Sequence, residues 1–193
     1  MAILDATLKL LETTPLQQVS IESIAREAGV GKATIYRWWS SKAAVVIEAF
    51  LQTHVSHTPM EKGGSPREAI ARHFHLLVDE YSGWSGRIVA QIMAEGQSEP
   101  NVLREFRERF WYGRRALVRE FFDEARRSGE FRSDMDTELQ MDILYSPIYF
   151  RLLMGHLPLD RKFAEEHCAA IMQVLASDAP LSGAAPVKRR RIG

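Results

Sequence analysis

The sequence predicts an all-α protein, with a small N-terminal unit of three helices followed by a larger domain of about six helices. Apolar residues recur at intervals of three and four along most of the chain, which is the spacing of one helix face. No segment shows the alternation of apolar and polar residues expected of a strand. The chain has 193 residues, 46% of them hydrophobic, and is therefore long enough to bury a substantial core.

Residues that stop or cap a helix separate the N-terminal helices. Pro15 ends a first helix whose apolar face includes Ile3 and Leu11, because proline has no backbone N–H to donate. Gly29 stands where the chain must turn sharply, which predicts a positive φ. The helices predicted in this part of the chain cover residues 2–12, 21–28, 32–39 and 42–56.

The second domain begins after a loop rich in glycine and proline at residues 58–65. Ser65 and Pro66 then form a good helix start, with a hydroxyl cap and proline at the first helical position. Pro147 lies inside a helical pattern, so we expect a kink where the carbonyl of Ile143 loses its donor. The helices predicted here cover about residues 66–82, 86–97, 100–128, 136–155 and 160–176.

Composition limits the classes of protein that fit. The formal net charge is zero, so any contact with nucleic acid must come from local placement of a few cations. The single cysteine, Cys168, allows no disulfide within the chain and fits a reducing cytosol. We find no signal peptide and no apolar run long enough to span a membrane, and therefore expect a cytoplasmic protein without a membrane partner.

The spacing within residues 20–39 is typical of a helix-turn-helix. Ala25 is small where a second helix must approach closely, Gly29 allows the turn, and Ile35 supplies a buried contact six residues later. Ser20 is expected to cap the first of these helices by accepting a backbone N–H. A pattern of this kind has many false positives when it stands alone.

The second helix of this motif carries a polar face suited to the major groove of DNA. Thr34 offers a hydroxyl and a methyl group, and Arg37 can contact guanine or phosphate. Tyr36 is expected to donate its hydroxyl to a phosphate, which positions the helix without reading sequence. The DNA-contacting residues predicted from this motif are Ser20, Lys32, Ala33, Thr34, Tyr36, Arg37 and Lys42.

Residues 29–42, which read G-V-G-K-A-T-I-Y-R-W-W-S-S-K, resemble the signature of the TetR (tetracycline repressor) family. The run L-Y-S-P-I-Y-F-R-L-L at residues 144–153 is similar to the C-terminal domain of one TetR subgroup. The resemblance implies that Trp38 and Lys42 face DNA and that Trp39 packs inward. It divides the chain into a DNA-binding domain at residues 1–50, an effector-binding and dimerisation domain at residues 51–176, and a disordered basic tail at residues 177–193.

The resemblance also implies a sequence-specific transcriptional regulator, a homodimer on a roughly palindromic operator that a small effector releases. An apolar or aromatic effector would fit a pocket bordered by some of the aromatic side chains, although each could equally be core. The pocket candidates are Phe74, Tyr81, Trp84, Phe106, Phe110, Trp111 and Phe121. The candidates for the dimer interface, on the last two helices, are Leu139, Ile143, Ile148, Leu152, Ala164, Cys168, Ile171 and Leu175.

Other functions fit the sequence less well. His54 and His57 have a spacing that could serve a metal, but no third ligand has telling spacing. His167 and Cys168 are adjacent and point to different helix faces, which does not suit a nucleophile and its base. We therefore expect no metal, no cofactor and no enzymatic activity. The main alternative is a ligand-insensitive DNA-binding protein whose second domain has a closed, packed core.

Overall fold

The computed structural model describes residues 2–177 and confirms the predicted all-α class. A short 3₁₀ turn at Leu16–Gln18, which the sequence analysis missed, follows the first helix. The predicted basic tail lies almost wholly outside the described residues. The helices are α1 (Ala2–Thr13), α2 (Ile21–Ala28), α3 (Lys32–Trp38), α4 (Lys42–His57), α5 (Pro66–Ser82), α6 (Trp84–Ser98), α7 (Pro100–Phe106), α8 (Tyr112–Arg127), α9 (Thr137–Met154) and α10 (Arg161–Leu175).

Helices α2 and α3 form the predicted helix-turn-helix, and local chemistry fixes both ends of α2. Ser20 and Ser23 make a reciprocal capping box, in which each hydroxyl accepts the backbone N–H of the other residue. Gly29 ends α2 in the left-handed conformation, with φ 66°. Because a side chain at this φ would be strained, glycine is what allows the chain to turn directly into α3.

Helix α4 joins the DNA-binding unit to the rest of the molecule. It begins within four residues of the end of α3 and is buried on nearly all sides. Val45, Val46 and Ile47 are consecutive and fully buried, so this helix forms core with α1 on one side and with α6 and α7 on another.

Two hydrogen bonds fasten the N-terminal unit to α6. The backbone N–H of Leu16 donates to the Gln91 Oε1 atom at 2.6 Å. The Trp84 indole N–H donates to the carbonyl of Leu11 at 3.0 Å. Since these bonds use backbone groups of α1 and of the turn that follows it, a movement of α6 is transmitted to the N-terminal unit.

The predicted helix at residues 100–128 is continuous but not uniformly α. A π-helical turn at Arg107–Trp111 separates α7 from α8. Such a turn contains one residue more than an α turn, so the faces of the helix before and after it are rotated relative to each other. Phe110 lies in this turn and packs edge-on against Phe50 of α4, with ring centroids 5.5 Å apart. The charged sequence around it gave no sign of the irregularity.

Pro147 lies inside α9, and α10 supplies a compensating donor. Proline removes the hydrogen bond to the carbonyl of Ile143 and disturbs this turn of the helix. One residue on, the carbonyl of Leu144 accepts a hydrogen bond from the His167 Nε2 atom at 3.0 Å. The His167 side chain therefore links α9 to α10 beside the proline, and this turn of the helix keeps a hydrogen-bonded carbonyl in the core.

The last residues that the structure describes pair with the segment just before α9. The backbone N–H of Arg132 donates to the carbonyl of Leu175 at 2.8 Å, next to an isolated bridge between Phe131 and Ala176. Residues 2–177 otherwise contain no strand pairing. Among these residues no helix is both long and apolar enough to cross a bilayer.

Candidate DNA-binding face and ligand cavity

Helix α3 presents the predicted face to solvent. Trp38 is 71% exposed and Tyr36 is 56% exposed, whereas Ile35 is fully buried against the rest of the unit. Ala33 and Arg37 are exposed and Thr34 is partly buried. Arg37 makes no ion pair or hydrogen bond with any residue in the 2–177 range, so its guanidinium is available to an outside acceptor.

Lys32 and Ser20, two more of the predicted contact residues, lie at this face and interact with other residues of the chain. Lys32 pairs with Glu22, with 2.9 Å between the ammonium and the carboxylate oxygen, and both side chains are exposed. The Ser20 hydroxyl accepts the N–H of Ser23 and donates toward the carboxylate of Glu22. An exposed ion pair is weak enough to be exchanged for a phosphate.

Lys42 already has partners within the chain, so a phosphate at its predicted contact would have to displace them. The ammonium donates to the carbonyl of Leu16 at 3.1 Å and pairs with Glu95 of α6 at 3.2 Å. The side chain is therefore a tie between α4, the turn after α1, and α6. Nothing in the sequence spacing indicated Glu95 as its partner.

A cavity of about 50 Å³ lies between α4, α5, α8 and α9. It is far smaller than the roughly 300–1,000 Å³ of a pocket that encloses a drug-sized ligand. Its wall combines aromatic rings with titratable and hydroxyl groups rather than aliphatic side chains alone. The groups that carry its chemistry are His54, His73, Tyr81, Arg114, Tyr145 and Tyr149.

A chain of hydrogen bonds crosses this cavity. The Arg114 Nη2 atom donates to the Nε2 atom of His73 at 3.1 Å. Since a guanidinium can only donate, Nε2 must accept, and the ring proton of His73 is on Nδ1. This proton is donated to the hydroxyl oxygen of Tyr145 at 2.9 Å. Arg114 thereby fixes the tautomer of His73 and the orientation of Tyr145.

Both histidines of the cavity are neutral at physiological pH. Burial lowers the pKa of His54 to about 3, and the positive charge of Arg114 acts in the same direction. The same two causes lower the pKa of His73 to about 3. Each ring therefore resists protonation in the folded chain but accepts a proton readily once unfolded.

This difference predicts that stability falls on mild acidification. Below pH 6.5 the unfolded chain binds protons that the folded chain does not, so the free energy of unfolding decreases as the pH is lowered toward 3. From pH 7 to pH 5.5 we expect a loss of about 1 kcal/mol from each histidine. Urea unfolding at the two pH values measures it. His73→Gln should remove about half of this loss of stability. His156→Gln, at an exposed position, is the control and should remove none of it. A free energy of unfolding that is equal at the two pH values would contradict neutral, buried rings.

Comparison with known proteins assigns the chain to a family. The model "Bacterial regulatory proteins, tetR family" matches residues 3–49. The model "Tetracyclin repressor-like, C-terminal domain" matches residues 60–171, which is more than half of the chain.

The chain belongs to the TetR family.

Its relatives are regulators with the same architecture. YdeS of Bacillus subtilis, an HTH-type transcriptional regulator, is 35% identical over 153 residues, which is 79% of this chain and 77% of YdeS. The crystal structure of the TetR family regulator SCO0332 has a TM-score of 0.77 at 26% identity, covering 90% of this chain and 96% of SCO0332. FadR from Bacillus subtilis, solved in complex with stearoyl-CoA, shares the fold with a TM-score of 0.61 at 16% identity, covering 89% of this chain and 97% of FadR. The chain is thus a TetR-family helix-turn-helix regulator.

The aromatic residues predicted to border a pocket in this TetR-family domain divide into two groups. Tyr81, Phe110 and Trp111 line the cavity. The others do not: Trp84 binds α1, and Phe121 faces a surface groove beside the start of α5. Phe74 and Phe106 are buried in core contacts away from the cavity. The polar cavity residues His54, His73 and Arg114 were missed as a group, because only the fold brings their helices together.

The predicted dimer residues of the TetR-type C-terminal helices also divide. Leu139 is exposed, and Ile143, Leu152 and Ile171 are partly exposed. Four others are buried within the chain and cannot reach a second copy, which corrects that part of the prediction: Ile148, Ala164, Cys168 and Leu175. Exposed apolar side chains that the prediction omitted are Phe150, Leu153, Met154, Leu157 and Val174. The spacing of apolar residues alone did not distinguish the side of each helix that packs in the core from the side that faces solvent.

No group of three or more histidine, cysteine or acidic side chains is placed to hold a metal ion within residues 2–177. Of the two histidines first considered, His54 is buried and His57 is exposed and paired with Glu80 at 3.0 Å. The Cys168 thiol is buried, and burial raises its pKa to about 11. A thiol with this pKa is protonated at neutral pH and is therefore a poor nucleophile.

Proposed function

We propose that this protein is a homodimeric repressor that binds a roughly palindromic operator through α3 and is released by a small ligand in the cavity. One observation carries the proposal: α4 both follows the recognition helix and lines the cavity with His54. A ligand that moves the C-terminal end of α4 must therefore act on the helix that positions α3.

The proposed mechanism is a shift between two arrangements of α4. Phe50 and His54 stack on each other and pack edge-on against Phe110, with centroids 5.5 and 5.1 Å away. A ligand that displaces Phe110 therefore pushes on two turns of α4. Because Lys42 binds Glu95 at the other end of the helix, α4 and α6 are expected to move together. The ligand needs only a higher affinity for the arrangement that does not fit the operator.

We propose that a second copy of the chain buries the exposed apolar stripe of α9 and α10. Leu139, Ile143 and Phe150 follow one another at spacings of four and seven along α9, and all are at least partly exposed. Val174 extends the apolar surface on α10. Regulators of this family act as dimers, and a two-fold pair would present one α3 to each half-site of the operator.

A ligand-insensitive DNA-binding protein is the second candidate, and the small cavity favours it. A volume of about 50 Å³ admits a few water molecules but no drug-sized ligand unless side chains move. The fold itself accommodates small molecules, as FadR does with stearoyl-CoA. The polar lining favours a ligand site over a packed core, because a core of this kind would leave buried donors without partners.

Binding to the DNA upstream of its own gene, beside a reporter assay, tests the proposal. Thr34→Ala and Arg37→Ala should each weaken binding of that DNA about tenfold or more, because each removes a contact to a base or phosphate. Arg127→Ala, an exposed arginine on α8, is the matched control and should bind normally. In cells, both α3 variants should raise expression of a reporter under this promoter. Reduced expression instead would indicate an activator, and unchanged binding would exclude α3 as the contact.

A further inference from the structure

Arg114 is a partly buried cation without a carboxylate partner among residues 2–177. Its Nη2 atom donates to the carbonyl of Thr58, to the Thr58 hydroxyl at 3.1 Å and to His73 at 3.1 Å. All three acceptors are neutral. The adjacent Arg115, in contrast, pairs with Glu138 and Asp142. Of these two adjacent arginines of α8, Arg115 is thus neutralised by carboxylates of α9, whereas Arg114, which faces the cavity, has no paired carboxylate among the described residues.

The neighbouring titratable groups do not supply the missing charge. His54 and His73 are neutral, since the pKa of each is about 3. The Glu80 carboxylate of α5 lies 4.0 Å from the His54 ring, but it accepts hydrogen bonds from Ser85 and His57 and forms no ion pair with Arg114 among the described residues. A positive charge removed from water is costly unless it is paired. The cavity therefore carries one net positive charge and favours an anion.

Two hydroxyl groups in the same cavity have protons to donate. The Tyr81 hydroxyl is buried, its side chain being 2% exposed, and it lies near the Tyr149 hydroxyl without a hydrogen bond of good geometry. Tyr145 accepts from His73, so its own proton is left for another acceptor, and no such acceptor occurs in the 2–177 range. Buried hydroxyls without partners are rare in folded proteins. Both would be satisfied by an oxygen that accepts two hydrogen bonds.

The remaining wall is apolar. Leu77, Val118 and Met141 line the cavity beside the rings of Phe110 and Trp111. A charged head group fits the available 50 Å³, and an apolar remainder requires these side chains to move. Trp111 and Tyr149 are partly exposed to solvent and pack edge-on, with ring centroids 5.2 Å apart. They therefore form the outer wall of the cavity, which would have to move to admit the apolar part of a ligand.

We propose that the releasing ligand is a monocarboxylate with an apolar body, whose carboxylate pairs with Arg114 and accepts hydrogen bonds from Tyr81 and Tyr145. The inference rests on the proposed function and specifies its ligand class. A carboxylate suits the site because it accepts from several donors at once and supplies the missing negative charge. A neutral ligand of the same shape would leave Arg114 without a counter-ion.

The test compares carboxylates with their amides on the full-length protein. Acetate, butyrate, octanoate, benzoate and phenylacetate, each beside its amide at matched ionic strength, would be measured by thermal shift and by calorimetric titration. At least one carboxylate should bind wild type about tenfold or more tightly than its amide. Arg114→Gln should abolish this preference, and Tyr145→Phe should reduce it. Arg119→Gln, an exposed paired arginine on α8, is the control and should retain it.

The outcomes separate the ligand class from the repressor mechanism. If no carboxylate of the series shows a preference that depends on Arg114, the proposed ligand class is overturned. If a carboxylate binds through Arg114 but leaves operator affinity unchanged, the site stands and ligand-driven release fails. Should Arg114→Gln not fold, Tyr145→Phe decides the point, because loss of one hydroxyl must weaken the carboxylate more than its amide.

Discussion

Replacing Trp39 with alanine is expected to lower the free energy of unfolding by about 3–5 kcal/mol, the cost of removing a large buried side chain. Trp39 is 9% exposed and closes the end of α3 onto α4. Its indole N–H donates to the carboxylate of Glu48 at 2.9 Å, so truncation also leaves that acceptor without its partner. A loss of this size is a large share of the 5–15 kcal/mol that stabilises a typical domain. Urea unfolding followed by circular dichroism measures it.

The adjacent tryptophan is a matched control for this prediction. Trp38 is 71% exposed, so Trp38→Ala should change stability by no more than about 0.5 kcal/mol. It should nevertheless weaken operator binding, because it removes the largest exposed side chain of α3. The same substitution at consecutive positions thus separates folding from recognition. Equal losses of stability would show that the two rings are not divided between core and surface.

Replacing Phe150 with glutamate is expected to abolish dimerisation and to weaken operator binding by about a hundredfold or more, as the two heads cease to act together. Phe150 is 58% exposed and belongs to the apolar stripe on α9. A two-fold interface would bring it close to its own copy, where two carboxylates repel and lose solvation. Sedimentation velocity and operator titration measure the two effects.

Tyr112 provides the control for Phe150. It is 57% exposed and lies on α8, away from the stripe, so Tyr112→Glu introduces the same charge at an aromatic position of equal exposure. This variant should remain dimeric and bind operator normally. A dimer that survives Phe150→Glu but not Tyr112→Glu would move the proposed interface to α8.

The elements that the sequence predicted correctly are those determined by neighbouring residues. The N-terminal cap at Ser20, the left-handed turn at Gly29 and the proline start of α5 at Pro66 each depend on backbone chemistry within a few positions. The recognition helix could be predicted in the same way, since its buried and exposed sides follow a helical period. For Trp38 and Trp39, the exposure of one ring and burial of the other came from the family resemblance.

The cavity could not be predicted because its residues come from separate helices. His54, His73, Arg114 and Tyr145 lie on four different elements, and no spacing relates them. The π turn at Arg107–Trp111 adds to the difficulty, because it rotates α8 by an amount that the charged sequence does not reveal. The partner of Lys42 could not be predicted for a similar reason: Glu95 is distant in sequence, and it competes with the phosphate that the position of Lys42 suggested.

The ion pair between Lys32 and Glu22 affects how operator binding depends on salt concentration. A free cation that neutralises a phosphate releases counterions, and each such contact steepens the dependence of log affinity on log salt by about 0.9. Lys32 already has a carboxylate partner 2.9 Å away, and Glu22 must recruit a cation from solution when a phosphate takes its place. The net release from that contact is therefore close to zero. The slope of log affinity against log salt for this regulator should therefore correspond to fewer phosphates than α3 contacts.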